Sequence, residues 1–216
     1  LLSLDPMVVE TLAGNNPYPL NKRLARIAQS AGVDAIYLME GTGQTIAASN
    51  ALTANSVVGQ TYSYRPYFQA AQRGELGEFY GIGATTGIPG YFYAMVVRTP
   101  GVEPGVIAVK IDLSPLQDRW QASGERFMLS NADGIVLLAS NPDWRYRLLN
   151  ALPSEKIQQL DQTKQFAGNL LEELDWGRRL DRQTATIDGQ TFLYVRTRDL
   201  PNSWSLHSLV PNDGGV

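Results

Sequence analysis

Cysteine is absent, and only one histidine, His207, occurs among the 216 residues. Without a thiol there is no disulfide, no thiolate metal site and no cysteine nucleophile. A single imidazole cannot build a multi-histidine metal centre. A protein free of thiols also suits an oxidising compartment. Nor is there a large excess of either charge: 18 Lys and Arg stand against 21 Asp and Glu, a formal net charge of −3. That balance gives no basic surface for a nucleic-acid partner. No apolar run nears the roughly 20 residues of a membrane helix; stretches such as Ile135–Ala139 are far shorter, and no signal peptide is recognised. The sequence opens Leu1-Leu2-Ser3-Leu4 without methionine and ends Asn212-Asp213-Gly214-Gly215-Val216. It reads as an internal piece of a longer protein, with any membrane anchor expected outside it. What is present is a globular composition, 44% hydrophobic and 9% aromatic, which excludes disorder as the main state and supports one or two packed domains.

The sequence repeats itself. Ala35–Asn50 lies over Arg126–Asn141 at an offset of 91, each copy ending Ala-Ser-Asn. Each reads as a strand, a turn with glycine (Gly43; Asp133-Gly134) and a second strand, a β-hairpin. A second echo pairs Tyr93-Ala-Met-Val-Val-Arg-Thr99 with Tyr194-Val-Arg-Thr197, each leading into a last strand, Gly105–Asp112 and Trp204–Val210. Two duplicated units follow, residues 32–113 and 124–216. A short helix at 114–123 connects them, with Ser114 as N-cap and Pro115 in the first turn. Residues 1–31 form an N-terminal helical segment in which Leu24, Ile27, Ala28 and Ala31 share one face.

Three features invite chemistry. Gly81-Ile-Gly83-Ala-Thr-Thr-Gly87 resembles a dinucleotide loop, but a helix must follow such a loop, and Pro89-Gly90 and a strand follow here. His207 invites a Ser/His hydrolase, but no nucleophile-elbow pattern accompanies it, and a surface or interface histidine is the simpler reading. Tyr62-Ser-Tyr-Arg-Pro-Tyr-Phe68 collects four aromatic residues and Arg65 before a helix that Pro66 can start, with Arg65 forced into an extended conformation. Lys110 adds weight to that segment. In the strand Gly105–Leu113, Ile107, Val109, Ile111 and Leu113 form one apolar face, while Val106, Ala108 and Lys110 share the other. A charge there needs a partner or a water-filled cavity. Sliding by 98, the spacing of the two Val-Arg-Thr triplets, sets Ser208 opposite Lys110, so the second unit lacks the lysine.

These residues carry a resemblance. Ala48-Ser-Asn50, Tyr62–Phe68, Gly83-Ala-Thr-Thr86, Pro89-Gly-Tyr91, Gly105–Lys110 and Asn141-Pro-Asp-Trp-Arg-Tyr-Arg147 stand in the order found in the extracytoplasmic double-Cache (tandem PAS-like) sensor domains of C4-dicarboxylate-sensing histidine kinases of the DctB type. The resemblance is detailed over Ile36–Leu149, looser over the second unit and slight over the first thirty residues. It implies an α+β fold of two tandem PAS-like units with antiparallel sheets, preceded by the N-terminal helical segment. It implies a periplasmic domain of a bacterial inner-membrane protein, flanked by membrane helices and joined to a cytoplasmic kinase, non-enzymatic in itself and without a cofactor. The ligand would be a dicarboxylate of the succinate, fumarate or malate class, held in the membrane-distal first unit. Arg65 and Lys110 would hold carboxylates, and Tyr62, Thr85 and Thr86 would give hydroxyl donors. Tyr67, Tyr80, Tyr91 and Tyr93 would line the pocket wall. A homodimer of the intact receptor, with the N-terminal segment as its axis, is expected. The glycine-rich Gly81-Ile82-Gly83 departs from the family and bears on pocket size. The alternatives are a Cache domain for another organic acid, a vestigial interaction module, and a Ser/His hydrolase.

Overall fold

The computed structural model of the chain describes residues 5–166, 169, 171–179, 183–198 and 200–211. Leu1–Leu4 and Asn212–Val216, named above, lie outside the described residues. The chain divides into two units, Leu1–Leu113 with Leu160–Ala167, and Ser114–Gln159 with Gly168–Val216.

In the first unit, prolines start the helices. α1 (Pro6–Leu12) follows Asp5, whose carboxylate caps it by accepting from the Met7 N–H at 3.0 Å. α2 (Tyr18–Ala31) has a proline in its first turn and stops at Gly32, which takes the left-handed conformation that glycine adopts without strain. α3 (Pro66–Gln72) follows Arg65, which is extended at φ −78°, ψ 134°, as a residue before proline must be. The strands are β1 (Ala35–Met39), β2 (Thr45–Ala48), β3 (Gly77–Ile82), β4 (Pro89–Thr99) and β5 (Val102–Asp112). They form one antiparallel sheet in the order β2-β1-β5-β4-β3. One face packs against α1 and α2 through Leu20, Leu24, Ile36, Leu38 and Ile107. The other carries Tyr37, Phe79, Phe92, Ala94 and Ala108, clustered with Tyr67 and Phe68 of α3.

The second unit contains α4 (Ser114–Ala122), β6 (Arg126–Ser130), β7 (Val136–Ala139), α5 (Ser154–Gln162), β8 (Trp176–Arg179), β9 (Thr184–Ile187), β10 (Gln190–Thr197) and β11 (Ser205–Pro211), the last residues of α5 counting with the first unit. Its sheet runs β7-β6-β11-β10-β9-β8. Two antiparallel sheets with helices make the chain α+β, as the sequence predicts.

The repeat at offset 91 is structural to the residue. Tyr37 pairs with Ala48 and Met128 with Ala139, and both hairpins shift register at the same place, one residue later at Leu38 and Leu129. The shared serine has one job in both. The Ile36 N–H donates to the Ser49 hydroxyl and the Phe127 N–H to the Ser140 hydroxyl, each at 2.9 Å. The Val-Arg-Thr echo is different. Ala94 pairs with Ala108 next to Tyr37, whereas Arg196 pairs with His207 next to Met128. Arg196 therefore stands where Ala94 stands, four residues from Arg98, and the counterpart of Lys110 is Leu209, opposite Arg126, not Ser208. Similar triplets arose at different heights of the two ladders.

Candidate functional site

A cavity of about 270 Å³ lies on the α3 side of the first sheet, space for about nine water molecules at liquid density. Alternation along the strands supplies its floor: Ala35 and Tyr37 from β1, Phe92 from β4 and Lys110 from β5. Ala35 and Phe92 are the cross-strand neighbours of Lys110 on either side. The segments before α3 and after β3 supply the walls, with Tyr62, Arg65, Tyr67, Gly83, Thr85 and Thr86.

Lys110 is 4% exposed. Its ammonium lies 2.6 Å from Asp34 Oδ2 and donates to Thr86 Oγ1 at 3.3 Å, so at least one of its three N–H groups remains for a ligand. Two glycines make room for it. A Cβ on Gly90 would sit 2.8 Å from Lys110 Cε, and one on Gly83 would sit 2.6 Å from Thr86 Oγ1 and 3.5 Å from Lys110 Nζ. The glycine-rich stretch thus shapes the wall beside the cation.

Arg65 also lines the cavity, but its guanidinium is already engaged. Nη2 donates to the Ile82 carbonyl at 2.8 Å, and Nη1 donates to the carbonyls of Thr163 and Lys164 at 3.2 and 3.1 Å. Three of its five N–H groups therefore tie the start of α3 to the end of β3 and to the turn after α5. The rings of Tyr64 and Phe79 flank it at 5.3 and 5.5 Å. Arg65 is a buried clamp as well as a cavity residue.

The hydroxyls are linked in pairs. Tyr62 OH meets Thr85 Oγ1 at 2.7 Å, and Tyr37 OH meets Tyr67 OH at 2.8 Å. Burial pushes the pKa of Tyr37, Tyr62 and Tyr67 above the ordinary tyrosine value, so all three are protonated donors at neutral pH.

The structure does not bring Tyr80, Tyr91 or Tyr93 to the cavity. Tyr91 and Tyr93 pair with Ile111 and Val109, on the strand face opposite Lys110, and Tyr80 pairs with Tyr91. The same alternation that isolates Lys110 excludes these three. Conversely, Asp34, Tyr37 and Phe92 line the cavity although sequence reasoning passed over them. Phe92 could have been found from alternation; Asp34 needed the β1–β5 register. Among the described residues no three His, Asp or Glu side chains gather to hold a metal.

His207 belongs to the second unit and is not the surface residue expected. It is 1% exposed, as is Ser130. Its Nε2 meets the Ser130 hydroxyl and its Nδ1 meets Tyr194 OH, both at 2.8 Å. Burial, then Arg196 and Arg178, lower its pKa to about 4. A serine beside a histidine is the start of a nucleophile pair, but both are closed from solvent and the imidazole has a phenol where an orienting carboxylate would stand.

No family model matches the chain. Over 202 residues it is 30% identical to the C4-dicarboxylate transport sensor protein DctB of Rhizobium meliloti (strain 1021), covering 89% of this chain and 32% of that protein. Over 140 residues it is 36% identical to the protein of the same name from Pseudomonas aeruginosa, covering 63% of this chain and 23% of that one. The chain thus spans about a third or less of these curated relatives. The crystal structure of the V. cholerae histidine kinase DctB sensor domain superposes with a TM-score of 0.84 at 26% identity, over 97% of this chain and 86% of that one. This chain belongs to the DctB-type sensor domains. A DctB-type domain is a periplasmic sensing module, and among the described residues no helix is long and apolar enough to cross a membrane. The DctB-type membership agrees with the double-unit α+β fold and places the duplicated hairpins in a known architecture.

Proposed function

We propose that the first unit binds a small C4-dicarboxylate of the succinate, fumarate or malate class. In this reading the chain is the ligand-sensing part of a transmembrane histidine kinase that works as a homodimer. The observation that carries the reading is one cavity that gathers Lys110, Arg65, Tyr62, Thr85 and Thr86. A dicarboxylate has two charged ends, so desolvating it demands cations and donors at both. Lys110 offers a free ammonium N–H to one carboxylate. The remaining Arg65 N–H groups and the protonated tyrosines offer donors to the other. The names of the curated relatives support the ligand class.

Binding can bias a receptor only by favouring one of two conformations. The Arg65 segment and the Lys110 strand flank the cavity, and the strand runs on into α4 at Ser114, so closure of the cavity on a ligand is the expected signal. Titration calorimetry with succinate, fumarate and malate tests the reading. Binding stabilises the native unit by about 2.7 kcal/mol when ligand stands at 100 times its Kd, which also raises Tm. If none of the three binds at millimolar concentration while monocarboxylic amino acids or sugars do, the ligand class is wrong. Cysteine pairs introduced along α2 in the full-length receptor test the dimer: no crosslink in a receptor that still signals removes that axis.

A further inference from the structure

We propose that Asp34 is a specificity determinant of the first-unit cavity, reading a hydrogen-bond donor on the ligand carbon next to the carboxylate seated at Lys110. The inference rests on the dicarboxylate reading above. Asp34, Arg65 and Lys110 are the charged residues of the cavity lining, and their sum is one positive charge, not two. A plain dianion placed there leaves one negative charge uncompensated, with Asp34 facing it across the same ammonium. Asp34 is fixed in that position. Its N–H donates to the Lys110 carbonyl at 2.9 Å, directly before the Ala35–Lys110 pair of the β1–β5 ladder. Its Oδ2 lies 2.6 Å from Lys110 Nζ, with the Asp34 side chain 31% exposed against 5% for that of the lysine. Asp34 is thus the wetter partner, open to what enters the cavity.

The geometry has a chemical consequence. Thr86 takes one of the three ammonium N–H groups, Asp34 pairs with the ammonium at 2.6 Å, and a ligand carboxylate takes a remaining N–H. The atom attached next to that carboxylate then lies beside Asp34. A methylene there meets an acceptor it cannot satisfy. A hydroxyl or an ammonium there donates to Asp34, giving the carboxylate a second partner beside Lys110. The recognised feature is therefore a donor alpha to the carboxylate, as in a 2-hydroxy or 2-amino diacid, in preference to an unsubstituted one.

Calorimetry on the wild-type domain and on Asp34→Ala and Asp34→Asn, with succinate, malate and aspartate, tests this. Hydrogen bonds to charged groups carry about tenfold or more in affinity, so malate or aspartate should bind wild type at least about tenfold tighter than succinate. Which of the two does so tells hydroxyl from ammonium. In Asp34→Ala the preference should fall to near unity and succinate should bind more tightly than to wild type. Asp34→Asn keeps the shape if the alanine variant fails to fold, and in it an ammonium preference should vanish. Equal binding of all three acids by wild type, or a preference that survives in both variants, overturns the role of Asp34 while the dicarboxylate reading stands. Failure of every acid to bind wild type overturns both.

Discussion

The two units share a hairpin, a register shift and a serine, yet a few changes from small to large side chains separate a cavity from a packed face. In the first unit the row beside Tyr37 is Ala108 and Ala94, and the row beside Ala35 is Lys110 and Phe92. In the second the matching rows are Met128, His207, Arg196 and Arg126, Leu209, Tyr194. Three alanines of the first unit are replaced by an arginine, a histidine and a second arginine, and the lysine by leucine. Met128, Leu209 and Tyr194 fill the second face, and His207 satisfies itself on Ser130 and Tyr194. Duplication preserved the hydrogen-bonded frame, which tolerates no change of register, and left the face above it free to diverge.

The largest expected effect tests whether Arg65 is frame or site. Arg65→Ala removes the donor of three carbonyls in a residue 1% exposed. Leaving buried acceptors unsatisfied costs about 1–3 kcal/mol each, so the first unit should lose about 3–5 kcal/mol in denaturant unfolding without ligand. An unchanged unfolding midpoint would make Arg65 a ligand residue alone. By contrast, Lys156→Ala in the second unit should change stability little, because its pair with Asp133 is about a third exposed on both sides.

Lys110→Leu copies the second unit into the first. Dicarboxylate affinity should fall by about 2–5 kcal/mol, while apo stability falls by less, because the variant leaves Asp34 without its cation but with its side chain 31% exposed to water. Wild-type affinity in that variant would show that the lysine is not what distinguishes the units.

His207 gives the second unit a pH dependence that the first should lack. Its pKa is lowered to about 4 from the ordinary 6.5, so between those values the unfolded chain binds a proton that the folded one refuses. The stability of the second unit is therefore full above about pH 6.5 and falls as pH drops toward 4, by about 3 kcal/mol in all. His207→Phe should flatten that difference relative to wild type in unfolding curves taken at steps of pH; an identical slope in both proteins would remove the assignment.

The smallest effect sharpens the cavity wall. Gly83→Ala puts a methyl 2.6 Å from Thr86 Oγ1 and displaces that hydroxyl from Lys110. Ligand affinity should fall by about 1 kcal/mol with Tm nearly unchanged. A loss of Tm as large as the loss of affinity would mean that Gly83 serves the fold instead.

Much of the frame was legible because local signals carried it. Pro66 announced α3 and the conformation of Arg65, and Ala-Ser-Asn marked both hairpins. Lys110 stood out as a charge in an apolar strand. What depended on pairing between distant strands was not legible. Asp34 meets Lys110 only through the β1–β5 register, and the Val-Arg-Thr echo misled because like triplets sit four residues apart on their ladders. The sequence places His207 at a surface or interface because alternation tells which residues share a face, not which face is covered. Tyr80, Tyr91 and Tyr93 show the converse: the family resemblance suggested them for the pocket wall, and the pairing of β3, β4 and β5 puts them on the face opposite Lys110.

The clamp on Arg65 sets an order on how the chain is made. Its acceptor at Thr163 lies 98 residues downstream, and the Ile82 N–H likewise finds the Gln165 carbonyl at 2.8 Å. A ribosome that has emitted the chain only as far as Leu113 has therefore produced every strand of the first unit but not its last hydrogen-bond partners. Domains emerging N-terminal first usually fold in that order. Here the earlier unit must wait for a stretch encoded after most of α5, and a fragment cut at the apparent boundary should be released with Arg65 holding one carbonyl instead of three.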